Sequence, residues 1–407
     1  MKKEKTINNL KIFLTMCVTA LLTIIITLIA LYGSNRITTS SSGNKNASGS
    51  LYTDNTKLKM NFIQNKIESE YIENNVDENL MQEYAIKGYV EGLNDVYSDY
   101  YTKEEMEEIS SDVTGEYVGI GIVMTKDTST NEIVVYSVFD NSPAKEVGIE
   151  KGDIITKVDD TEVNGNDYNE VPNMIKGKEG TKVKVTIKKN NEEKTFELTR
   201  KAIVQDVVKS QIIGNNIGYI YISDFTSNVY EQFLKKYNEL ASKNITKLII
   251  DERNNLGGEV NQALNIADLF INRGETMLIE EDKNGNKEEE KAQNGITITM
   301  PTVLLVNEYS ASASEILAGA LKDKASNVTI VGTKTYGKGV IQSLYTLSDG
   351  SGLKLTTNKY LTPNGTEINK IGIEPDVTTD KYSFNSEDNL DTTKDTQLKK
   401  ALDVLNK

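Results

Sequence analysis

The apolar positions of this chain change rhythm several times, and each rhythm predicts a different element. Residues 12–32, IFLTMCVTALLTIIITLIALY, are a 21-residue run without a charge. At about 1.5 Å per residue such a helix spans roughly 30 Å, the thickness of a bilayer's hydrocarbon layer. This predicts a cytoplasmic tip and membrane anchor over 1–33, and the Ser/Asn/Gly-rich stretch over 34–52 reads as a flexible linker. From 53 to 112 the period is helical, with Met60, Ile63, Ile67 and Tyr71 on one stripe and Tyr84, Ile86, Val90 and Leu93 on another. The expected element is a helical arm that packs or dimerises and carries no chemistry. From 113 to 200 the period shortens to two: TKVKVTIKK puts Val183, Val185 and Ile187 on one face, and DNSPAKEVGI reads as a short helix capped by Ser142, begun by Pro143 and ended by Gly148. From 201 to 380 the continuous apolar strands IGYIYIS, KLIID, TVLLVN and TIVG alternate with helical stretches, which predicts an α/β layer with its chemistry on loops at the strand ends. The segment 381–407 is polar until DTQLKKALDVLNK, an amphipathic helix expected to pack on the body. The expected fold class is α/β (α+β) and multidomain, with a β-rich domain inserted before an α/β core.

Composition narrows the chemistry. The formal net charge of −14 argues against a nucleic-acid partner, because such binding rests on Lys and Arg neutralising phosphates. The chain has no histidine and one cysteine, which excludes a Ser-His-Asp triad, a Cys-His dyad and the usual His- or Cys-ligated zinc site. No acidic run has ligand spacing, so neither a metal nor another cofactor is expected. Cys17 lies inside the apolar run and reads as lipid-facing or packing filler. Lys2, Lys3, Lys5 and Lys11 precede that run and only Arg36 and Lys45 closely follow it, so the positive-inside rule places the N-terminus in the cytoplasm and the body outside. The run is long for a signal peptide and no clear A-x-A site ends it, which favours an uncleaved anchor.

With histidine absent, another group must take a proton from any attacking serine. In SASASEILAGAL the serines stand where the strand TVLLVN gives way to a helix, a junction that presents a hydroxyl beside free backbone N–H groups. Residues two apart on a helix start point in different directions, so at most one of Ser310, Ser312 and Ser314 aims at a given partner, and the others cap or fill. Downstream, TKTYGKGVIQ sets Lys338 between two glycines. To act as base this lysine must be neutral near pH 7 to 8, about three units below its usual value, which burial and positive surroundings supply. A third stretch, KLIIDERNNLGGEVNQAL, ends a buried strand in Asp251 and leads through Gly257 and Gly258 into a helix. Glycine amides at such a turn are suited to a developing oxyanion.

The pieces GEYVGIGIVM, SPAKEVGIEKGDIITKVDD and TKVKVTIKK, in that order, resemble a PDZ domain of the bacterial protease type. The resemblance implies that Gly119, Ile120, Gly121 and Ile122 form the edge that takes up an extended C-terminal peptide; Asp160 stands where the family usually has Gly. Over most of residues 60–380, LNDVYSDYYTKEE, DERNNLGG, SASASEI, GTKTYGKGVIQ and LKLTTNKYLTPNGTEINKIGIEPDV resemble the carboxyl-terminal processing peptidases, tail-specific serine proteases with a Ser-Lys dyad. That resemblance implies Ser312 as nucleophile, Lys338 as general base and Gln342 as the group that orients it. The amide of Ala313, with that of Gly257 or Gly258, is implied as the oxyanion hole. Glu252 and Leu256 replace the Leu and Pro usual in DERNNLGG. The implied protein is a membrane-anchored, extracytoplasmic serine endopeptidase acting on proteins or peptides with accessible C-termini. A homodimer through the arm and the C-terminal helix is the assembly it allows. A catalytically dead, membrane-tethered PDZ scaffold is the alternative, against which the joint presence of Ser312, Lys338 and Gln342 argues.

Overall fold

The computed structural model describes residues 54–73, 75–190, 192–384 and 390–406. The anchor expected over 12–32 and the linker over 34–52 lie outside the described residues; among those described, no helix is long and apolar enough to cross a membrane. The arm begins with α1 (Asp54–Glu70) and α2 (Glu78–Glu91), the latter capped by Asp77. Its expected apolar stripes find little cover: α1 buries no residue, Met60, Ile63, Tyr84 and Ile86 are exposed, and Val90 alone of the two stripes is buried. The arm then does what its helical period does not foretell. It contributes a strand, β1 (Asp99–Tyr101), to a sheet of the core before resuming as α3 (Lys103–Thr114), which the reciprocal Thr102–Glu105 capping box starts.

The β-rich domain holds β2 (Glu116–Gly119), β3 (Ile122–Asp127), β4 (Glu132–Val138), the short α4 (Pro143–Glu146), β5 (Ile154–Val158), β6 (Thr161–Glu162), α5 (Val171–Ile175), β7 (Lys182–Lys189), β8 (Glu192–Thr199) and β9 (Lys201–Val204). Its main sheet runs β3-β4-β5-β7-β8, so β3 is an edge, while β2 pairs separately with β9. Val183, Val185 and Ile187 point into the core with Ile133, Val135 and Ile155, as their alternation requires. Ser142 accepts a hydrogen bond from the Lys145 N–H and Pro143 opens α4. At the β5–β6 turn the left-handed conformation falls on Asp159 (φ 51°), whose carboxylate accepts from the Lys184 N–H. Asp160 therefore needs no glycine-like backbone.

The α/β core follows as β10 (Val208–Ile213), β11 (Ile217–Ile222), α6 (Val229–Ala241), β12 (Lys247–Asp251), α7 (Val260–Ala267), β13 (Thr276–Asp282), β14 (Lys287–Lys291), β15 (Thr302–Val306), α8 (Ala313–Lys324), β16 (Val328–Gly332), β17 (Val340–Thr346), β18 (Gly352–Leu361), β19 (Val377–Thr378) and α9 (Thr396–Leu405). The main sheet has the order β10-β11-β12-β15-β16-β19, with β11, β12, β15, β16 and β19 parallel. Both faces are covered, which is why its strands read as continuous apolar runs. Leu248, Ile250, Leu304 and Val306 face α6, α7 and α8, whereas Ile249, Val303 and Leu305 face Leu398, Ala401 and Leu405 of α9. The C-terminal helix thus packs on the body as its amphipathic pattern predicts. A second, antiparallel sheet, β1-β18-β13-β14 with β17 on β18, lies beyond α8.

Candidate active site

Parallel strands that are neighbours in a sheet deliver their C-terminal loops side by side. Here β12 lies next to β15, and β15 next to β16. The glycine turn, the serine junction and the lysine loop, far apart in sequence, therefore meet at one edge.

Ser312 precedes α8 with φ 56° and ψ −116°, a region that L residues avoid. This is the geometry of a sharp strand-to-helix elbow that holds a side chain away from its own helix. The flanking serines are committed elsewhere: the Ser310 hydroxyl donates to the Glu252 carbonyl (2.8 Å) and that of Ser314 to the Asn255 carbonyl (3.0 Å). Ser312 donates none among the described residues, so it is the one hydroxyl of the motif whose proton is uncommitted. Both serine bonds stitch the serine junction to the glycine turn. Gly257 (φ 106°) packs so tightly there that a Cβ would come within 2.8 Å of the Ser312 Cβ and 2.7 Å of the Ala311 carbonyl oxygen. The Gly257 N–H is spent on Asn255 Oδ1 (2.8 Å), whereas that of Gly258 has no partner among the described residues. Of the two glycines left open by the sequence, Gly258 is the one with a donor to offer beside Ala313, the first residue of α8.

Lys338 is wholly buried, and its Nζ makes no hydrogen bond among the described residues. Neither Ser312 nor Gln342 reaches it; the Gln342 side-chain amide donates to Thr356 Oγ1 instead (3.3 Å). Serine and lysine are held by their backbones. The buried Glu315 carboxylate accepts from the N–H groups of Ser312 (3.0 Å), Gly337 (2.7 Å) and Lys338 (2.8 Å), and from the Thr335 hydroxyl (2.6 Å). On the other side the Tyr360 hydroxyl donates to the carbonyls of Ser312 (3.1 Å) and Lys338. Burial, followed by the neighbouring Lys354 ammonium, lowers Lys338 to about 7, against the pull of Glu315 and Asp95. Burial raises Glu315, and its hydrogen-bond donors resist that rise.

The arm enters the site from the side. The Tyr97 ring lies 4.8 Å from Lys338 Nζ, and burial pushes the Tyr97 phenol up to about 12 with Tyr336 beside it. The Ser98 hydroxyl accepts from the Thr356 N–H (3.0 Å) and donates to Asp95 (2.6 Å). The expectation of an arm without chemistry is corrected on this point: β1 pairs with β18, and that pairing seats residues 95–98 over the lysine. Glu315, Tyr360, Tyr97 and Lys354 are thus site residues that sequence reasoning missed. All four lie within the motifs SASASEI, LNDVYSDYYTKEE and LKLTTNKYLTPNGTEINKIGIEPDV, so a signal was present for each.

Glu252 is buried with both carboxyl oxygens unpaired, and burial pushes it well above the usual carboxylate range. Beside it Arg253 forms a buried cluster with Asp251, Asp395 and Gln397, which ties the start of α9 to the glycine turn. No group of acidic, histidine or cysteine side chains able to hold a metal occurs among the described residues.

The four residues expected to take up peptide behave differently from one another. They line a groove of about 280 Å³ between β3 and α5, with Phe139, Tyr168, Ile175 and Lys176 among its walls. Ile122 stands on the edge strand, and a side chain at Gly119 would meet open space. The Ile120 side chain instead belongs to the domain core. Gly121 (φ 80°) is fixed by close packing, since a Cβ there would lie 2.2 Å from the Ser142 Cβ.

Comparison with known proteins finds two family matches. Residues 216–379 match the family described as peptidase family S41, and residues 117–199 match the PDZ domain. The chain is 36% identical over 373 residues to the carboxy-terminal processing protease CtpA of Bacillus subtilis (strain 168), covering 91% of this chain and 77% of that one. It is 37% identical over 329 residues to a probable CtpA-like serine protease of Staphylococcus epidermidis (strain ATCC 35984), covering 80% of this chain and 66%, just under two thirds, of that one. In fold it is similar to a solved Bacteroides fragilis NCTC 9343 protein described as an S41 protease, with TM-score 0.52 at 15% identity over 85% of this chain and 97% of that one.

Proposed function

The chain belongs to peptidase family S41, with a PDZ domain, and is a serine-type peptidase; on that premise we propose that it cuts proteins near or from their C-terminus with Ser312 as nucleophile and Lys338 as base. The observation that carries this reading is the pairing of the one uncommitted hydroxyl of SASAS, on strained backbone, with a buried lysine free of hydrogen bonds. Neutral Lys338 takes the Ser312 proton as Oγ attacks the scissile carbonyl. The resulting oxyanion is met by the N–H groups of Ala313 and Gly258. The Lys338 ammonium then returns its proton to the leaving amine, and an acyl ester remains on Ser312. Water, deprotonated by the same lysine, attacks the ester; as the bond to Ser312 Oγ breaks, the lysine returns that proton to the serine and the new C-terminus leaves. Gln342 is the group that orients Lys338, its amide oxygen accepting from the lysine when substrate is in place. Ser312 and Lys338 need only close the gap that their clamped backbones leave, and such bonds commonly form only with substrate in place.

The groove between β3 and α5 takes a substrate tail by adding it as a strand to the open β3 edge, with apolar walls for the last side chain. The uncharged run over 12–32 anchors the chain, with the peptidase on the outer face of the cell membrane. Two experiments test the reading. The full chain should degrade fluorescein-labelled casein and its Ser312→Ala variant should not, while both bind C-terminal peptides; a fully active variant ends the assignment of the nucleophile. Protease added to spheroplasts should digest the body, and protection of the body with an accessible N-terminal tag would reverse the orientation.

A further inference from the structure

Lys354 is the second buried lysine of the site, at 5% exposure. It sits in β18 opposite Leu344 of β17 and Asp99 of β1. Thr356, two residues on and on the same face, holds the Gln342 amide and the Ser98 hydroxyl. The Lys354 Nζ lies 5.1 Å from the Tyr101 ring, much as the Lys338 Nζ lies 4.8 Å from that of Tyr97. Both lysines are buried against the same short stretch of the arm, residues 97–101, so their ammonium groups repel and the pair does not readily hold two protons. Which lysine yields is set by what faces each. The rings are alike and do not decide. Lys354 faces Asp99 on β1 and Asp95 ahead of it. Lys338 faces Asp95 and Glu315, and the Glu315 carboxylate is already committed to four donors.

We propose that Lys354 is a positioning residue for the reaction: held charged by Asp99 and Asp95, its ammonium keeps the neighbouring Lys338 neutral and so able to take the Ser312 proton. The inference rests on the Ser312–Lys338 reading above and extends it. Burial lowers Lys354 only to about 8, with Asp99 and Asp95 opposing, while Lys338 falls further with Lys354 as its second cause. The sign follows. Without the Lys354 charge, Lys338 keeps its proton to higher pH, and the rising limb of activity moves up.

The test is the pH dependence, from 5 to 10, of kcat/KM on labelled casein and of the rate at which a fluorophosphonate probe labels Ser312 in the full chain. Lys354→Met should move the rising limb of both upward by about one pH unit, a roughly tenfold loss below the limb, with the plateau at high pH retained. Lys354→Arg keeps the charge and should leave the limb at its wild-type position. Asp99→Asn, a near-isosteric change outside the pair, should move the limb in the same direction as Lys354→Met and by less. A limb that stays in place in Lys354→Met or, should that variant fail to fold, in Asp99→Asn, overturns the inference, as does a fall in plateau alone. Lys338→Arg separates the two ideas: its activity would remove the dyad itself, whereas a dead Lys338→Arg with unmoved Lys354 and Asp99 variants removes only the role of Lys354.

Discussion

The lysine loop after β16 and the glycine turn after β12 each hold a fully buried ionisable group whose side-chain polar atoms have no partner among the described residues, Lys338 in one and Glu252 in the other. By burial alone they are equivalent. Around Lys338, however, stand a strained serine, a second lysine, an aromatic ring and two side chains, Glu315 and Tyr360, that fix its backbone to that of Ser312. Around Glu252 only the backbone is engaged, its N–H donating to Leu305 and its carbonyl accepting from Ser310 and Asn255. Asp251 is the charge that faces its carboxyl. Burying an ionisable group without a partner destabilises the fold in both places, but only in the lysine loop do side chains from other elements gather around it.

Substitution sharpens this contrast. The largest effect on activity belongs to the lysine. Lys338→Met should reduce casein turnover by roughly 10⁴-fold or more, leaving only what binding and the oxyanion hole supply, and should at the same time raise thermal stability. The folded value of Lys338, about 7, lies below its ordinary 10.5, so the unfolded chain binds more protons between those pH values. Wild-type stability therefore climbs as pH rises through that window, and the gain from Met is greatest below pH 7 and shrinks above it. Thermal melts of both proteins at pH 6 and pH 9 check the sign.

A smaller loss is expected at the glycine turn, which the proposed mechanism uses to hold the oxyanion. Gly257→Ala places a methyl against the Ser312 Cβ and the Ala311 carbonyl, on backbone at φ 106°. With the nucleophile elbow and the Gly258 amide displaced, kcat should fall roughly 10²- to 10³-fold. Near wild-type kcat would mean that the turn does not set the nucleophile's position.

Glu252→Leu, restoring the residue usual in the family, should change kcat/KM by less than about threefold while raising stability by roughly 1 to 3 kcal/mol. Its pH signature is opposite to that of the lysine. A carboxyl raised by burial binds its proton more tightly in the folded chain, so wild-type stability falls as pH rises above the ordinary carboxylate value of 4.5, and the gain from Leu grows with pH. A large loss of activity in this variant would erase the distinction between the two loops. Recognition is a separate readout, probed at Gly119, where a side chain meets open space. Gly119→Leu should weaken C-terminal peptide binding about tenfold without changing fluorophosphonate labelling of Ser312. Gly121 is unsuited to that test, because substitution there collides with Ser142.

The main sheet was legible because its strands are covered on both faces and read as unbroken apolar runs: KLIID and TVLLVN are strands β12 and β15. Ser312 and Lys338 were legible through residue type and motif. The second sheet was not. Strand β14, KEEEK, is exposed throughout and carries no apolar alternation. In β18 the alternation misleads, since LKLT would send its leucines inward, whereas Lys354 is buried and Leu353 and Leu355 are only half-buried. A polar face turned inward is recognised only when its partners are seen, and those of Lys354 come from an arm more than two hundred residues upstream. The exposed stripes of α1 and α2 are the converse case, a helical period with no cover among the described residues.

The central claim is that a neutral Lys338 takes the proton of Ser312. Its most direct test is kcat/KM on labelled casein from pH 5 to 10 for the wild type and Lys338→Arg, whose guanidinium stays charged throughout. The account predicts a wild-type rise through loss of one proton near pH 7 to a plateau, and no turnover by Lys338→Arg at any pH. A Lys338→Arg enzyme that turns over at near the wild-type rate, or a wild-type profile flat across that range, would contradict it.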